Sequence, residues 1–272
     1  MSLPYLAPPS LDLGVPIHIF GVIAAIGISI GAVVMRRYAR RVGESEADAR
    51  TVFGWIAVTG IIGAHVFDVL FYRPGVVLRD PLELFKIWTS ISSYGGFLGG
   101  ALGFGFIVWR RSLRFGRWAD ISIVGLLVAF SIGRAGCTTV HDHIGAETHL
   151  AIGVDYPREV LAEHGLLGEF DSTAPVIRAH NLGMEELLYL IPVNMLVLWL
   201  AFRRRPPAGT LAVVAAALYA PVRFGLENWR LASTDPPYGG LTFAQWCSIA
   251  VFAIAVAIGA RLFARARVDT AG

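Results

Sequence analysis

The sequence predicts an all-α integral membrane protein with seven transmembrane helices, its N-terminus outside, its C-terminus in the cytoplasm, and a small outer head. The first observation is composition: 55% of the 272 residues are apolar and only 16% are charged, and the mean hydropathy is +0.60. Soluble domains are about 45–50% apolar and about 25% charged. The net charge of +3 argues against nucleic acid as a partner, and two cysteines exclude a disulfide scaffold.

The second observation is a series of apolar runs. A helix needs about 20 mostly apolar residues to cross the hydrocarbon core of a bilayer. The third run is rich in glycine, which permits close helix packing in lipid, and the sixth contains Pro221, which favours a kink. The runs cover residues 16–35, 52–71, 91–109, 119–137, 184–202, 208–226 and 243–262.

The third observation is the placement of the basic residues. Fifteen of the 23 Lys and Arg residues lie in connections that fall on one side of the membrane if there are seven spans. The positive-inside rule assigns that side to the cytoplasm and so orients the chain. These residues are Arg36, Arg37, Arg40, Arg41, Arg50, Arg110, Arg111, Arg114, Arg117, Arg203, Arg204, Arg205, Arg261, Arg265 and Arg267.

We expect residues 1–272 to form one polytopic domain, with the head at about 138–183. That connection is too polar to cross the membrane and too short for a large domain. The first fifteen residues lack a basic segment, so we expect no cleavable signal peptide, and the first apolar run is long enough to remain as a span.

Polar residues gather near the predicted outer ends of the spans, where ionisable groups are costly and indicate function. Arg134 and Arg223 would suit a phosphate through paired, charge-assisted hydrogen bonds, and Glu227 lies four residues after Arg223, on the same helical face. The alternative is a set of snorkelling arginines and structural ion pairs. The other polar residues at this level are His18, His65, Asp68, Tyr94, Glu185 and Glu186.

The segment His141-Asp142-His143 lies at the outer end of the fourth run, with His149 nearby. Two histidines in this spacing are a weak zinc pattern, so we expect no metal and no cofactor. An acid–base or hydrogen-bonding role for His141 or His143 fits better, since imidazole titrates near neutral pH. Cys137 is a nucleophile beside Arg134 or a packing residue, and Cys247 is interpreted as packing.

Several segments resemble one family in the family's own order. Ile17-His18-Ile19-Phe20-Gly21 is similar to the start of its first span, and Gly133-Arg134-Ala135-Gly136 matches the start of its Gly-Arg-x-Gly-Asn signature. The stretch from Tyr219 to Arg230 is similar to its sixth-span motif. Further similar segments are Val69-Leu70-Phe71-Tyr72 and 80–88. The chain thus resembles a divergent member of the prolipoprotein diacylglyceryl transferase family over nearly its full length.

The resemblance implies transfer of a diacylglyceryl group from phosphatidylglycerol to the lipobox cysteine thiol of a preprolipoprotein, the first step of lipoprotein maturation, with glycerol 1-phosphate as the leaving group. It implies a bacterial plasma membrane enzyme with its active site near the outer leaflet. By matching positions, Arg134 would bind the lipid phosphate and Arg223 would stabilise charge on the leaving group. Glu227 would orient an arginine or the lipid glycerol. Asp142, Arg230 and Tyr219 complete the expected substrate-binding set.

The chain also departs from the family pattern. Tyr94 stands in place of the histidine of a His-Gly-Gly motif, and Cys137 and Val140 stand in place of two asparagines. A neutral tyrosine is a poorer general base than histidine at neutral pH. The catalytic candidates are therefore Tyr94, Arg223, His141 and His143. Two alternatives stay open: a paralogous enzyme that uses phosphatidylglycerol with another acceptor, and a non-catalytic lipid-binding or transport protein.

Overall fold

The computed structural model describes residues 3–9, 11–12, 16–86, 92–234 and 237–271. Apolar helices dominate this part of the chain, and many of their large side chains are exposed, including Ile61, Leu102, Met195 and Ile254. An apolar exterior on helices of this length is stable in lipid, where every backbone group is paired within its own helix. The long helices are α1 (Ile19–Arg41), α2 (Glu46–Phe67), α4 (Ser93–Arg110), α5 (Phe115–Val140), α7 (Leu182–Arg203), α8 (Thr210–Leu226) and α9 (Phe243–Ala271).

The chain divides into two compact units, Ala32–Ser122 and a second made of Met1–Gly31 with Ile123–Gly272. In the unit Ala32–Ser122, α2 and α4 pack along their lengths through small residues. A Cβ on Gly63 would lie 2.5 Å from the carbonyl oxygen of Gly95, so only glycine permits this approach. A Cβ on Gly99 would likewise collide with the carbonyl oxygen of Thr59.

The connection from α2 to α4 starts with a π-helix, Asp68–Tyr72, followed by α3 (Pro74–Arg79) and a 3-10 helix, Pro81–Phe85. The buried ring of His65 lies with its Nε2 2.9 Å from the carbonyl oxygen of Glu83, which ties this connection to the end of α2. At the other end of the unit, two ion pairs join the segment after α4 to the start of α2. Arg111 pairs with Asp48 in the first turn of α2, and Arg114 pairs with Glu44 just before that helix.

The unit Met1–Gly31 with Ile123–Gly272 contains the first half of α1, most of α5, helices α7 to α9, and a folded head. Helices α1 and α5 approach closely, since a Cβ on Gly31 would lie 2.7 Å from the carbonyl oxygen of Gly125. In α7, Asn194 donates to the carbonyl oxygen of Leu127 at 3.2 Å and to Ser131 Oγ at 2.6 Å, which links α7 to α5.

The head is a four-stranded sheet in the order β1-β5-β6-β4. Strand β6 (Val176–Asn181) is antiparallel to both β5 (Val154–Pro157) and β4 (Ile144–Glu147), and β1 (Leu3–Pro4) joins β5 as a parallel edge strand. One face packs against α6 (Arg158–Glu163) and the 3-10 helix Leu167–Glu169 around a core that includes Tyr156, Leu161 and Ile177. A separate two-stranded pairing joins β2 (Leu11–Asp12) to β3 (Pro16–Ile17).

The prediction of an integral membrane protein built from apolar helices is confirmed. The β-sheet of the head was not predicted from the sequence. Among the residues that the structure describes, six helices are long and apolar enough to cross a membrane, by length and composition alone. The third predicted run forms α4, which is not among the six: its 18 residues include many glycines, which lower its hydropathy. The count of seven spans and the orientation stay predictions.

Candidate functional site

Arg134 and Glu186 form a buried ion pair between α5 and α7. Arg134 Nε lies 3.1 Å from Glu186 Oε2, and the two side chains are 9% and 4% exposed. Tyr219 of α8 donates its hydroxyl hydrogen to Glu186 Oε1, so three helices meet at one carboxylate. A charge pair with so little water around it requires good geometry to offset its desolvation, and the Tyr219 hydrogen bond contributes to that.

Aromatic rings complete the support of Arg134. Its guanidinium lies over the Phe130 ring at 5.0 Å from the centroid. Phe130 in turn meets Tyr219 edge to face, with centroids 5.7 Å apart. The arginine is therefore held on one side by charge and on another by a cation–π contact, which limits the directions in which its N–H groups can point.

A second arginine–carboxylate pair lies where α8 ends. Arg223 Nη1 is 2.6 Å from Glu227 Oε2, one helical turn apart, and the Glu227 side chain is fully buried. Arg230 Nη1 lies 3.8 Å from the same carboxylate oxygen. Arg223 is near enough to Arg134 for their like charges to repel. The site thus gathers several guanidinium groups around two buried carboxylates, which is an arrangement suited to an anion.

The end of α5 explains why Cys137 and the residues after Val140 come together. His141 adopts a left-handed backbone with φ 52°. The N–H of Asp142 donates to the carbonyl oxygen of Cys137 at 3.2 Å, and that of His141 donates to the carbonyl oxygen of Thr138 at 3.4 Å. This is the Schellman pattern of helix termination, and it folds the chain back over the last turn of α5.

As a result, Cys137, Asp142 and His143 form one cluster. A sulfur, a carboxylate oxygen and a ring nitrogen from these residues lie within 4.8 Å of one another. Cys137 Sγ is also 3.9 Å from Arg134 Nη1, so the cluster adjoins the Arg134–Glu186 pair. The nearby His143 ring, with Nδ1 3.1 Å from Asp142 Oδ2, lowers the pKa of the Asp142 carboxyl against the opposing effect of burial, and the charges of Arg134 and Arg230 lower it further.

His141 lies instead within the hydrogen-bond network of the head. Its Nδ1 accepts from Asn181 Nδ2 at 3.0 Å and lies 3.0 Å from the Tyr156 hydroxyl, and its Nε2 contacts the carbonyl oxygen of Leu6 at 3.0 Å. Both ring nitrogens are thus engaged, and burial lowers the pKa of the imidazole. The ring ties β5, β6 and the N-terminal segment together through hydrogen bonds, and a catalytic role for His141 stays a prediction.

Three other polar residues predicted at the same level belong to the compact unit Ala32–Ser122. Tyr94 is half-buried in the first turn of α4, in the unit Ala32–Ser122, together with His65 and Asp68. Asp68 pairs with Arg73 at 3.0 Å. His18 is exposed just before α1. Seven of the predicted site residues lie near one another within one compact unit. They are Arg134, Arg223, Glu227, Arg230, Tyr219, Asp142 and His143.

The structure also assigns partners to two carboxylates that had no role from the sequence. Glu186 holds Arg134, and Glu185 Oε1 lies 2.6 Å from Nδ1 of the buried His180. The His180 ring stacks on Trp229 with centroids 4.8 Å apart. The sequence feature that points to Glu185 and Glu186 is their position as adjacent acidic residues near the start of an apolar helix, where an unpaired charge is costly.

Fold and site together define a polytopic membrane protein that gathers buried arginine–carboxylate pairs at helix ends next to a small head. The family model for prolipoprotein diacylglyceryl transferase matches residues 8–261. The chain belongs to this family, and the resemblance found in the sequence is confirmed.

Three relatives illustrate the degree of similarity, and each is named phosphatidylglycerol–prolipoprotein diacylglyceryl transferase. The protein of Caldanaerobacter subterraneus subsp. tengcongensis is 27% identical over 56% of this chain and 60% of its own length. That of Leifsonia xyli subsp. xyli is 26% identical over 95% and 79%, and that of Geobacter sulfurreducens is 27% identical over 85% and 84%. The chain therefore spans about three fifths of the first of these relatives, and the low identity agrees with a divergent member.

Proposed function

We propose that this protein transfers a diacylglyceryl group from phosphatidylglycerol to the lipobox cysteine of prolipoproteins. The observation that carries the proposal is a pair of arginines, the buried Arg134 and the partly buried Arg223, each held by its own buried carboxylate. The membership of the family and the names of its relatives supply the substrate class. A phospholipid headgroup presents a phosphodiester anion, which guanidinium groups bind with paired hydrogen bonds.

The reaction breaks the bond between the glyceryl C3 atom and its phosphate oxygen. Negative charge grows on the phosphate as it leaves as glycerol 1-phosphate, and positioned cations lower the energy of that transition state. In this proposal Arg134 holds the phosphate and Arg223 stabilises the leaving group. Glu227 fixes Arg223 and orients Arg230, and Tyr219 acts through Glu186 to fix Arg134.

The proposal includes the topology predicted from the basic residues. With seven spans, α4 included, the N-terminus is outside and the cluster at the ends of α5 and α8 lies near the outer leaflet. Acyl chains of the lipid would then lie among the apolar helices, with the headgroup at the level of the arginines. A bacterial inner membrane holds both phosphatidylglycerol and the emerging signal peptide on that side. A catalytic role for Tyr94 is part of the proposal because of its position in the family motif.

A transfer assay tests the function. Purified protein, phosphatidylglycerol vesicles and a lipobox peptide are incubated, and the peptide mass is followed. We expect a diacylglyceryl mass increase that is absent with a Cys→Ser peptide. Arg134→Ala and Arg223→Ala should lose this activity while the proteins still insert and purify.

The matched control is Arg204→Ala. Arg204 stacks on Trp199 at the opposite end of α7 from Glu186, roughly 30 Å away for a 22-residue helix. It should transfer at the wild-type rate. Wild-type activity in Arg134→Ala would contradict the assignment of the phosphate site. No mass increase with the wild-type protein, while a related enzyme is active in the same vesicles, would contradict the function itself.

A further inference from the structure

The cluster of Cys137, Asp142 and His143 combines three donor types that bind zinc in proteins: a sulfur, an imidazole nitrogen and a carboxylate oxygen. These atoms lie within 4.8 Å of one another. Donors around tetrahedral zinc are about 3.5 Å apart, given bond lengths of about 2.0–2.3 Å. The three side chains therefore need to close by only about 1 Å, and the exposed Asp142 side chain is free to do so.

The backbone conformation at the end of α5 brings these three residues together. The Schellman turn at the end of α5 brings Asp142 and His143 back over Cys137. The backbone of His143 is also fixed, because Leu182 N donates to its carbonyl oxygen at 2.9 Å where α7 begins. The three donors thus sit on a rigid turn between two long helices rather than on a loose loop, which is what a metal site requires.

A second observation comes from the His143 ring. Its Nδ1 lies 3.1 Å from Asp142 Oδ2, so the imidazole and the carboxylate already face each other. The ring contributes one nitrogen to the same 4.8 Å group as the thiol and the carboxylate.

Charge permits a dication here. Arg134 Nη1 lies 3.9 Å from Cys137 Sγ, and Arg230 also acts on the charge of Asp142, so both arginines disfavour a cation. However, Glu186 lies 3.1 Å from Arg134 and Glu227 lies 3.8 Å from Arg230, and these carboxylates offset the two charges. A thiolate on Cys137 and the carboxylate of Asp142 then contribute two negative charges, which a divalent ion neutralises.

We propose that Cys137, Asp142 and His143 form a three-ligand site for a divalent zinc-like ion, whose fourth position takes the thiol of the acceptor peptide. This rests on the function proposed above, and it replaces the expectation from the sequence that no metal binds. Catalytic zinc sites hold three protein ligands and leave one position open. A thiol bound to zinc loses its proton and becomes a thiolate at neutral pH.

In the proposed reaction, the acceptor thiol releases its proton to water when it binds the ion. The thiolate sulfur attacks the glyceryl C3 atom and forms a C–S bond as the C–O bond to phosphate breaks. The electron pair of that bond leaves on the phosphate oxygen, and glycerol 1-phosphate departs next to Arg134. The ion thus performs the thiol activation for which Tyr94 is poorly suited, at a position adjoining the phosphate-binding arginine.

Cobalt substitution tests the site without relying on activity. The full-length protein in detergent is stripped with a chelator and titrated with Co²⁺, which gives a thiolate-to-cobalt charge-transfer absorption when a cysteine binds it. We expect one Co²⁺ per chain with this absorption. Cys137→Ser should abolish it, and the matched control Cys247→Ser, the other free cysteine, should keep it. His143→Ala retains both cysteines and should weaken Co²⁺ binding by at least about tenfold.

Addition of the lipobox peptide should strengthen the charge-transfer band, because a second thiolate joins the ion, whereas a Cys→Ser peptide should not. A wild-type protein without the band, or a Cys137→Ser protein that keeps it, would overturn the proposed site. Activity distinguishes the two proposals. Transfer that is unaffected by complete metal removal would overturn the metal's role and leave the transferase function standing, with His143 acting directly as a base. A cobalt site of the expected kind without any transfer would instead overturn the proposed function.

Discussion

Replacing Glu186 by glutamine removes one charge from the buried pair with Arg134 and keeps almost the same shape. The amide oxygen still accepts from Tyr219, so the change isolates the charge interaction. At 3.1 Å and an effective dielectric constant near 20, the attraction between the two charges is about 5 kcal/mol. Breaking a buried pair by removing one partner costs about 3–5 kcal/mol, because the other charge is left uncompensated. We expect Glu186→Gln to destabilise the protein by about that amount.

The measurement is a double-mutant cycle on unfolding in mixed detergent micelles, with Glu186→Gln, Arg134→Met and the double variant. Because neither charge remains alone in the double variant, its loss of stability should be smaller than the sum of the single losses by roughly 1–3 kcal/mol. Tyr219→Phe is the matched control, since it removes one hydrogen bond to the charged carboxylate but leaves both charges in place, and it should cost about 1.5–3 kcal/mol. If the two single losses add to within about 0.5 kcal/mol, the charges do not interact as the geometry requires, and the reasoning fails.

Other parts of the structure make further predictions. Arg223→Lys should lower kcat/KM for transfer about 10–100-fold, since lysine lacks the planar fork of donors; steady-state transfer rates measure this, and an unchanged value would contradict a paired phosphate contact. Gly99→Ala should lower the thermal stability of the purified protein because its Cβ would meet the Thr59 carbonyl, whereas Gly105→Ala on the same helix has open space and should be neutral or stabilising by up to about 1 kcal/mol. Equal melting temperatures for the two would contradict the close packing of α2 and α4. His141→Ala should destabilise the head by about 1–3 kcal/mol because its buried hydrogen-bond partners lose the ring; faster limited proteolysis of the head measures this, and an unchanged rate would contradict the structural role.

The helices were predictable because the bilayer imposes length and hydropathy on each one separately. The predicted run 119–137 falls within α5, and the run 243–262 falls within α9. Helix α4 shows the limit of this reasoning. Its glycines serve the close approach to α2, and the same glycines reduce the hydropathy by which a span is recognised. Packing and membrane insertion thus make opposite demands on one segment.

The head sheet was not predictable from local pattern. Its strands are two to six residues long and lie among polar residues in a segment that lacks regular alternation. Moreover, β1 pairs with β5 across about 150 residues of sequence, with Leu3 opposite Val154. A pairing of that range depends on the helices that bring the N-terminal segment to the head, and no short stretch of sequence encodes it.

Site residues were predictable where the energetic cost of placing an ionisable side chain in a membrane-spanning segment is enough to single them out. Arg134, Arg223 and Glu227 are ionisable groups in apolar runs, so each had to have a partner or a function. Glu186 belongs to the same class, but its role depends on which helix it faces. His141 and His143 are two residues apart and have the same chemistry. The left-handed turn at His141 directs one ring into the head and places the other beside Cys137.

The residues that match the family pattern and those that depart from it are assigned to different chemical tasks. The residues that match the family include the two arginines of the proposed phosphate site, and Arg134 and Arg223 each have a buried carboxylate within 3.1 Å. The residues that differ, Tyr94 and Cys137, stand at positions of a histidine and an asparagine. Binding a phosphate and activating a thiol are separate tasks, so one can change while the other stays. Under the proposed function, a different mode of thiol activation beside the proposed phosphate site is therefore the economical explanation of these departures, and it is the mode that the cobalt experiment measures.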